Sequence, residues 1–259
     1  MNTKNIKIIF SKDMEELLSL NIVKFSIIFF PILFLFILSS VLVISFYQIG
    51  HMSSIPLSTF PAGTGDIHNI QIFYYLALNY LILLSVVPLG LSTTIASYSI
   101  VGEKQQRTIE PLLATPLDDR DLFFGKLLAP LIPTLIASYI SIFIYTLIAD
   151  YLSSSLGKII FPDTQWIIIV FIFIPSSTAL EILFTLLFSS RVTDPRSAQQ
   201  ISGMIILPII IVFILSLFYY SYEPILLLIL TFSVILADVI IFRIAVRLFD
   251  RERIITRWV

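Results

Sequence analysis

Six long apolar runs dominate the sequence, and they restrict the chain to folds in which helices avoid water. A helix needs about 20 mostly apolar residues to cross the hydrocarbon core of a bilayer. Each run is too long for a single strand, and none alternates as the strands of a membrane barrel do. We therefore predict an all-α, polytopic membrane protein with six transmembrane helices. The predicted spans are approximately 26–46, 74–98, 127–149, 166–188, 202–218 and 224–246.

The composition agrees with this class and excludes others. Apolar residues make up 58% of the chain and charged residues 13%. Soluble domains contain about 45–50% apolar residues and about 25% charged residues. The formal net charge of -1 provides no basic excess that would replace counterions, so we expect no nucleic-acid partner. Because the chain has no cysteine, disulfides and cysteine-ligated metals are excluded.

The positions of the cationic residues predict the orientation of the helices. Fifteen of the 16 Lys and Arg residues precede the first span, lie at or after the end of the sixth, or lie between spans two and three or four and five. Lys158 is the exception. Since positive charge is retained in the cytoplasm, both termini are predicted to be cytoplasmic. We therefore expect a multi-pass protein that lies in a prokaryotic plasma membrane and contacts membrane lipid.

The chain is predicted to form one transmembrane domain over residues 1–259. Residues 1–24 precede the first span and show helical spacing of apolar side chains, which favours a cytoplasmic interfacial helix. Its apolar positions are Ile6, Phe10, Met14 and Leu17, although Asp13 falls near the same side. An ordinary frayed terminus is the alternative. The first span is expected to be a permanent anchor, and residues 247–259 a cytoplasmic tail.

The sequence offers little enzymatic chemistry. His51 and His68 lie in the loop after the first span without a metal-ligand pattern, so no metal site is expected. Gly125-Lys126 and Gly157-Lys158 lack the upstream glycine and the following Ser or Thr of a phosphate-binding loop. We therefore expect no cofactor in this chain and no catalytic residues.

Two carboxylates fall within predicted spans, Glu181 in the fourth and Asp238 in the sixth. A charge at membrane depth costs several kcal/mol, so each needs a partner or water. One interpretation is a residue that lines a transport pathway or couples to an ion. The other is a structural group paired inside the helix bundle, which the position of Asp238 near the inner end of its span favours. For Glu181 both interpretations stay open.

The cytoplasmic segment between spans two and three is rich in charge. Thr108 can cap a short helix, with Glu110 and Pro111 in its first turn. Such a helix would expose apolar side chains beside charged ones, which suits docking into a groove of a soluble partner. An ordinary solvated loop is the alternative. The residues concerned are Glu103, Arg107, Thr108, Ile109, Glu110, Leu112, Leu113 and Thr115.

This segment, EKQQRTIEPLLATP over 103–116 followed by Gly125-Lys126, resembles the second cytoplasmic loop of the ABC type-2 transporter permease family. The stretch 189–208 and the basic tail 249–257 are also similar to family segments. The resemblance covers nearly the whole chain, and six spans with both ends inside match the family's topology. It implies the transmembrane subunit of an ATP-binding-cassette exporter.

The resemblance implies further expectations. The residues at about 107–115 would form the coupling helix that contacts a separate ATP-binding-cassette ATPase, and residues 5–22 an interfacial elbow helix. ATP and Mg would be bound by that ATPase, and a second permease copy would complete a homo- or heterodimer. Drugs, peptides, lipids or ions are candidate substrates. The alternatives are a standalone ion-coupled transporter and, with less support, a membrane-embedded lipid enzyme.

Overall fold

The computed structural model of the chain describes residues 3–51, 65–105, 119–189, 192, 194–207, 210–211 and 224–248. These residues are helical apart from short connections and contain no β-strand, which confirms the all-α prediction. In chain order the helices are α1 (Thr3–Ser19), α2 (Asn21–His51), α3 (Gly65–Leu84), α4 (Val86–Gln105), α5 (Asp119–Ser154), α6 (Thr164–Ile168), α7 (Ile174–Ser189), α8 (Pro195–Ser202) and α9 (Pro224–Leu248).

Five segments of the described chain are long and apolar enough to cross a membrane. They correspond to the first four predicted spans and the sixth, and extend them at most ends. The predicted fifth span, 202–218, lies largely outside the described residues, so the count of six stays a prediction. The five segments are Asn21–Ile49, Ile70–Ser99, Asp121–Ser154, Thr164–Ser189 and Leu227–Ala245.

Prolines interrupt two of these segments. The predicted span 74–98 is divided at Ser85, whose amide donates to Ile82 O over 3.1 Å, and Pro88 follows closely. Similarly, the π-helical turn Ile169–Phe173 separates α6 from α7 just before Pro175. Proline has no amide hydrogen for the helical ladder, so the backbone of the preceding turn must find another arrangement.

The helices of the bundle differ in how much of their apolar surface they bury. Side chains of α3, α4 and α7 form most of the interior, whereas α2 and α9 expose many large apolar residues. Phe36 and Phe232 are examples, with 71% and 69% of their surface exposed. Exposed apolar helix faces of this kind suit hydrocarbon or other helices, in agreement with a membrane protein.

The N-terminal helix α1 packs against α5. Its buried residues are Ile6, Ile9, Asp13 and Leu17. The buried face is therefore rotated from the predicted stripe, because Phe10 and Met14 line a neighbouring groove instead. The helix itself agrees with the expectation for residues 1–24, and its placement along the membrane surface stays a prediction.

Candidate functional site

The predicted coupling segment lies between the end of α4 and the start of α5. Seven of its eight predicted residues, from Arg107 to Thr115, fall outside the described part of the chain. Glu103 lies in the last turn of α4, where the structure describes the backbone only. The described residues therefore characterise the two helix ends that flank this segment, and the start of α5 is the better defined of them.

An ion pair joins the start of α5 to α1. Lys126 Nζ lies 3.3 Å from Asp13 Oδ2, and the two side chains are only 2% and 3% exposed. Removing two charges from water is costly, so such a pair persists only where each charge meets its partner in good geometry. Lys12, with a 43% exposed side chain, lies 3.8 Å from the other oxygen of Asp13.

Two further contacts hold α1 against the same turns of α5. Asn5 Nδ2 donates to Asp121 Oδ2 over 3.2 Å. Gly125 packs so closely that a Cβ atom there would lie 2.5 Å from Ile9 Cγ2. The contacts fall along one face of α1 and extend over the first two turns of α5. As a result α1 is attached to the helix that follows the predicted coupling segment.

These contacts were not predicted from the sequence, although two signals pointed to them. Asp13 lies on the apolar side of α1, where an acidic residue requires a partner. Lys126 is the last cation before a long apolar run. The identity of the pair depends on how α1 is placed beside α5, and periodicity within one helix carries no such information.

Glu181 occupies the interior of the bundle. It lies on α7, is fully buried, and accepts a hydrogen bond from the hydroxyl of Thr93 on α4. Its other oxygen, Oε2, has no hydrogen-bond partner among the described residues. Nearby hydroxyls of α7, such as Thr178 and Thr185, donate to carbonyls of their own helix. Glu181 thus links the helix that leads into the coupling segment to α7.

Asp238 lies on α9 in a less enclosed position. It is partly buried, and its Oδ1 has no hydrogen-bond partner among the described residues. No ion pair joins it to Arg243 within that part of the chain. Among the described residues Asp238 has neither a basic nor a hydroxyl partner, and the structural and functional interpretations of this residue both stay predictions.

A third polar cluster lies at the far end of α5, near α3 and α6. Asp163 accepts hydrogen bonds from the hydroxyl of Tyr74 and, over 2.9 Å, from Trp166 N at the start of α6. Trp166 Nε1 donates to Thr146 Oγ1 over 3.1 Å. Asp150 Oδ1 accepts from the amide of Phe161 over 3.0 Å. Half-buried tyrosine and tryptophan side chains whose polar ends are hydrogen-bonded, such as Tyr74 and Trp166, are typical of a membrane–water interface.

The described residues contain no group of three or more His, Cys, Asp or Glu side chains placed to hold a metal ion. The carboxylates discussed above instead lie in four separate regions of the bundle. Some of these polar side chains join one helix to another, as in the Lys126–Asp13 and Thr93–Glu181 contacts.

A comparison with protein families identifies the family of this chain. A family model described as ABC-2 family transporter protein matches residues 58–194, which is more than half of the chain. The chain belongs to the ABC-2 transporter family. A comparison with curated proteins found no match. The ABC-2 match extends from before α3 to just before α8, so it includes both the predicted coupling segment and Glu181.

Membership of the ABC-2 family confirms the resemblance deduced from the loop motif. Together with the five apolar segments, it establishes a multi-pass membrane protein that is a permease of an ABC transporter. Permeases of the ABC-2 family are typically transmembrane subunits without catalytic activity. The contacts around Asp13, Lys126 and Gly125 thus lie in a permease, next to the segment that the sequence assigns to coupling.

Proposed function

We propose that the chain is the transmembrane subunit of an ABC exporter, which couples ATP hydrolysis by a separate ATPase subunit to export of a substrate. The observation that carries this proposal is the ABC-2 match over residues 58–194, which includes the motif at 103–116. Residues at about 107–115 would form the coupling helix, and ATP and Mg would be bound by the ATPase. Drugs, peptides, lipids or ions remain the candidate substrates.

The proposed arrangement has six spans and cytoplasmic termini in a prokaryotic plasma membrane, with the whole chain forming one transmembrane domain. The distribution of Lys and Arg supports this orientation. Helix α1 would then be the elbow helix on the cytoplasmic side, and the permease would function as a dimer with a second copy. The exposed apolar faces of α2 and α9 leave room for lipid and partner helices.

Helix α1 also supports a route by which motion of the ATPase reaches the bundle. The coupling segment continues directly into α5, and the first turns of α5 bind α1 through Lys126 and Asp13. A displacement of the segment would therefore act on both helices together. A ligand shifts such a conformational equilibrium only through its different affinities for the two states, and ATP binding to the ATPase would supply that difference.

Co-purification from native membranes tests the proposal. A tagged chain should retain a stoichiometric ATP-binding-cassette subunit, and a chain with residues 107–115 scrambled should insert normally but lose it. Scrambling the nine residues 53–61, in the loop predicted to face outside, is the matched control and should leave the complex intact. Gentle solubilisation that yields no ATPase, or a complex that survives scrambling of 107–115, would contradict the proposal.

The second candidate function is a standalone ion-coupled transporter. One observation favours it, namely the buried Oε2 atom of Glu181 that has no partner among the described residues. If this function were correct, the chain alone in vesicles would move substrate under an ion gradient, and Glu181→Gln would abolish that flux. Transport that requires both ATP and the ATPase would exclude it.

A further inference from the structure

An apolar groove runs between α1, α2 and α5, and no function considered so far uses it. It has a volume of about 670 Å³, and Ser141 is the single polar residue among the described residues that line it. The central positions of its three walls are Met14, Ile32 and Ile136. Ile32 and Ile136 are 60% and 57% exposed, so the groove is open along its side and accessible from the surrounding membrane.

The length of the groove corresponds to one leaflet of a bilayer. On α5 the lining residues extend from Ile132 to Ile144, a helical rise of about 18 Å. Half of a hydrocarbon core is about 15 Å thick. The apolar surface is therefore long enough for one extended acyl chain and too short to cross the whole membrane.

One end of the groove carries positive charge. Lys24 precedes the lining residues Ile27 and Ile28 on α2 by three and four positions, so it lies on the same helical stripe. Lys7 has the same relationship to Phe10 on α1. Both lysines are exposed, and within the described chain neither forms an ion pair. The cations thus stand where each apolar wall begins.

We propose that this groove binds one anionic phospholipid, with an acyl chain between α2 and α5 and its phosphate at Lys24. The assignment of this lipid to the cytoplasmic leaflet rests on the proposed orientation of the chain. The groove and its charged end are described independently of that orientation. The lipid supports the contact between α1 and the bundle.

A second copy of the chain fits this groove poorly. Two-fold symmetric interfaces bring the same patch of both subunits together. Two concave grooves that face each other would leave a void, and they would bring the lysines at each end towards like charges. A flexible chain with a negative head group matches both the concave shape and the charge.

Lipid titration of the purified full chain tests this site without requiring an ATPase. The delipidated protein is titrated with phosphatidylglycerol or phosphatidylcholine, and bound lipid is counted by native mass spectrometry. One phosphatidylglycerol should bind in preference to phosphatidylcholine. Lys24→Gln should weaken phosphatidylglycerol binding about fivefold, as expected for one lysine near an anionic surface, and leave phosphatidylcholine binding unchanged. Lys158→Gln, at the opposite end of α5, is the control for charge.

Filling the groove provides the second arm. Ile136→Trp should abolish retention of the lipid, whereas Phe143→Trp should retain it, because Phe143 is exposed on the same helix outside the lining. Ile32→Trp, on the opposite wall, replaces Ile136→Trp if that variant does not fold as judged by gel filtration. Equal binding of both lipids with no effect of Lys24→Gln, or undiminished binding to the filled groove, would overturn the proposal.

Cross-linking distinguishes a lipid from a second copy. Because the natural chain contains no cysteine, Ile136→Cys introduces a unique thiol into the groove. We expect no disulfide-linked dimer of this variant in native membranes. Efficient dimer formation would place another chain in the groove and would contradict the lipid assignment, while leaving the exporter proposal unaffected.

Discussion

Lys126 and Asp13 form a buried ion pair between residues 113 positions apart in the sequence, with 3.3 Å between Nζ and Oδ2. The pair attaches α1 to the first turns of α5, directly after the segment that we assign to coupling. Because both side chains are buried, the attraction between the two charges offsets part of the cost of removing each from water.

Removing one member of this pair should be more harmful than removing both. We expect Asp13→Leu to lower the free energy of unfolding in detergent by about 3–5 kcal/mol, because Lys126 is then buried without its carboxylate. The double variant Asp13→Leu/Lys126→Met should recover most of that loss. Chemical denaturation of the purified protein provides the measurement, and Lys12→Ala, at an exposed cation, should cost less than about 1 kcal/mol. Additive single effects would mean that the pair is not coupled.

A methyl group at Gly125 should separate the same two helices. A Cβ atom there would lie 2.5 Å from Ile9 Cγ2, and we expect Gly125→Ala to destabilise the protein by about 1–3 kcal/mol, as overpacking does. Adding Ile9→Ala should restore part of the loss. Gly102→Ala is the control, because among the described residues no heavy atom beyond its chain neighbours and its own helix backbone lies within 4 Å of the new Cβ. Equal melting temperatures for the two alanine variants would show that α1 is not held at Gly125.

The hydrogen bond between Thr93 and Glu181 should be measurable by a single substitution. Thr93→Val removes the donor and leaves a buried carboxyl group unsatisfied, for which we expect a loss of about 1–3 kcal/mol. Thr94→Val is a matched control, since among the described residues the hydroxyl of Thr94 donates to Gly90 O of its own helix and to no other helix. Thermal unfolding in detergent compares the two. A larger loss for Thr94→Val would contradict the described contact.

Charge reversal in the coupling segment tests function rather than stability. We expect Glu110→Lys to abolish ATPase stimulation by substrate, because it places a cation on the helix that we propose to contact the ATPase. Membrane insertion should stay normal. Glu223→Lys makes the same change of charge in the connection predicted to face outside and should retain coupling. ATP hydrolysis by reconstituted complexes is the measurement, and unaltered stimulation with Glu110→Lys would remove the docking assignment.

The positions of the long membrane-spanning helices could be predicted from the sequence, whereas the contacts between these helices could not. Long apolar runs predicted the segments that contain α2, α5 and α7 because membrane thickness dictates their length. The Lys126–Asp13 pair depends on how two distant helices lie side by side. The same holds for the bond between Thr93 and Glu181, although burial of Glu181 was anticipated as one alternative. The coupling motif was recognisable for its residue pattern, and its geometry lies outside the described residues.

The length of α5 has one further consequence. Its 36 residues rise about 54 Å, so the helix is longer than the hydrocarbon core and extends beyond it. One end is attached to α1 through Lys126, and the other accepts amide hydrogens at Asp150. One continuous helix thus connects the contact with α1 to the contacts at Asp150, with Pro130 and Pro133 inside it. A displacement at one end reaches the other without crossing a loop, except for the part that bending at the two prolines absorbs.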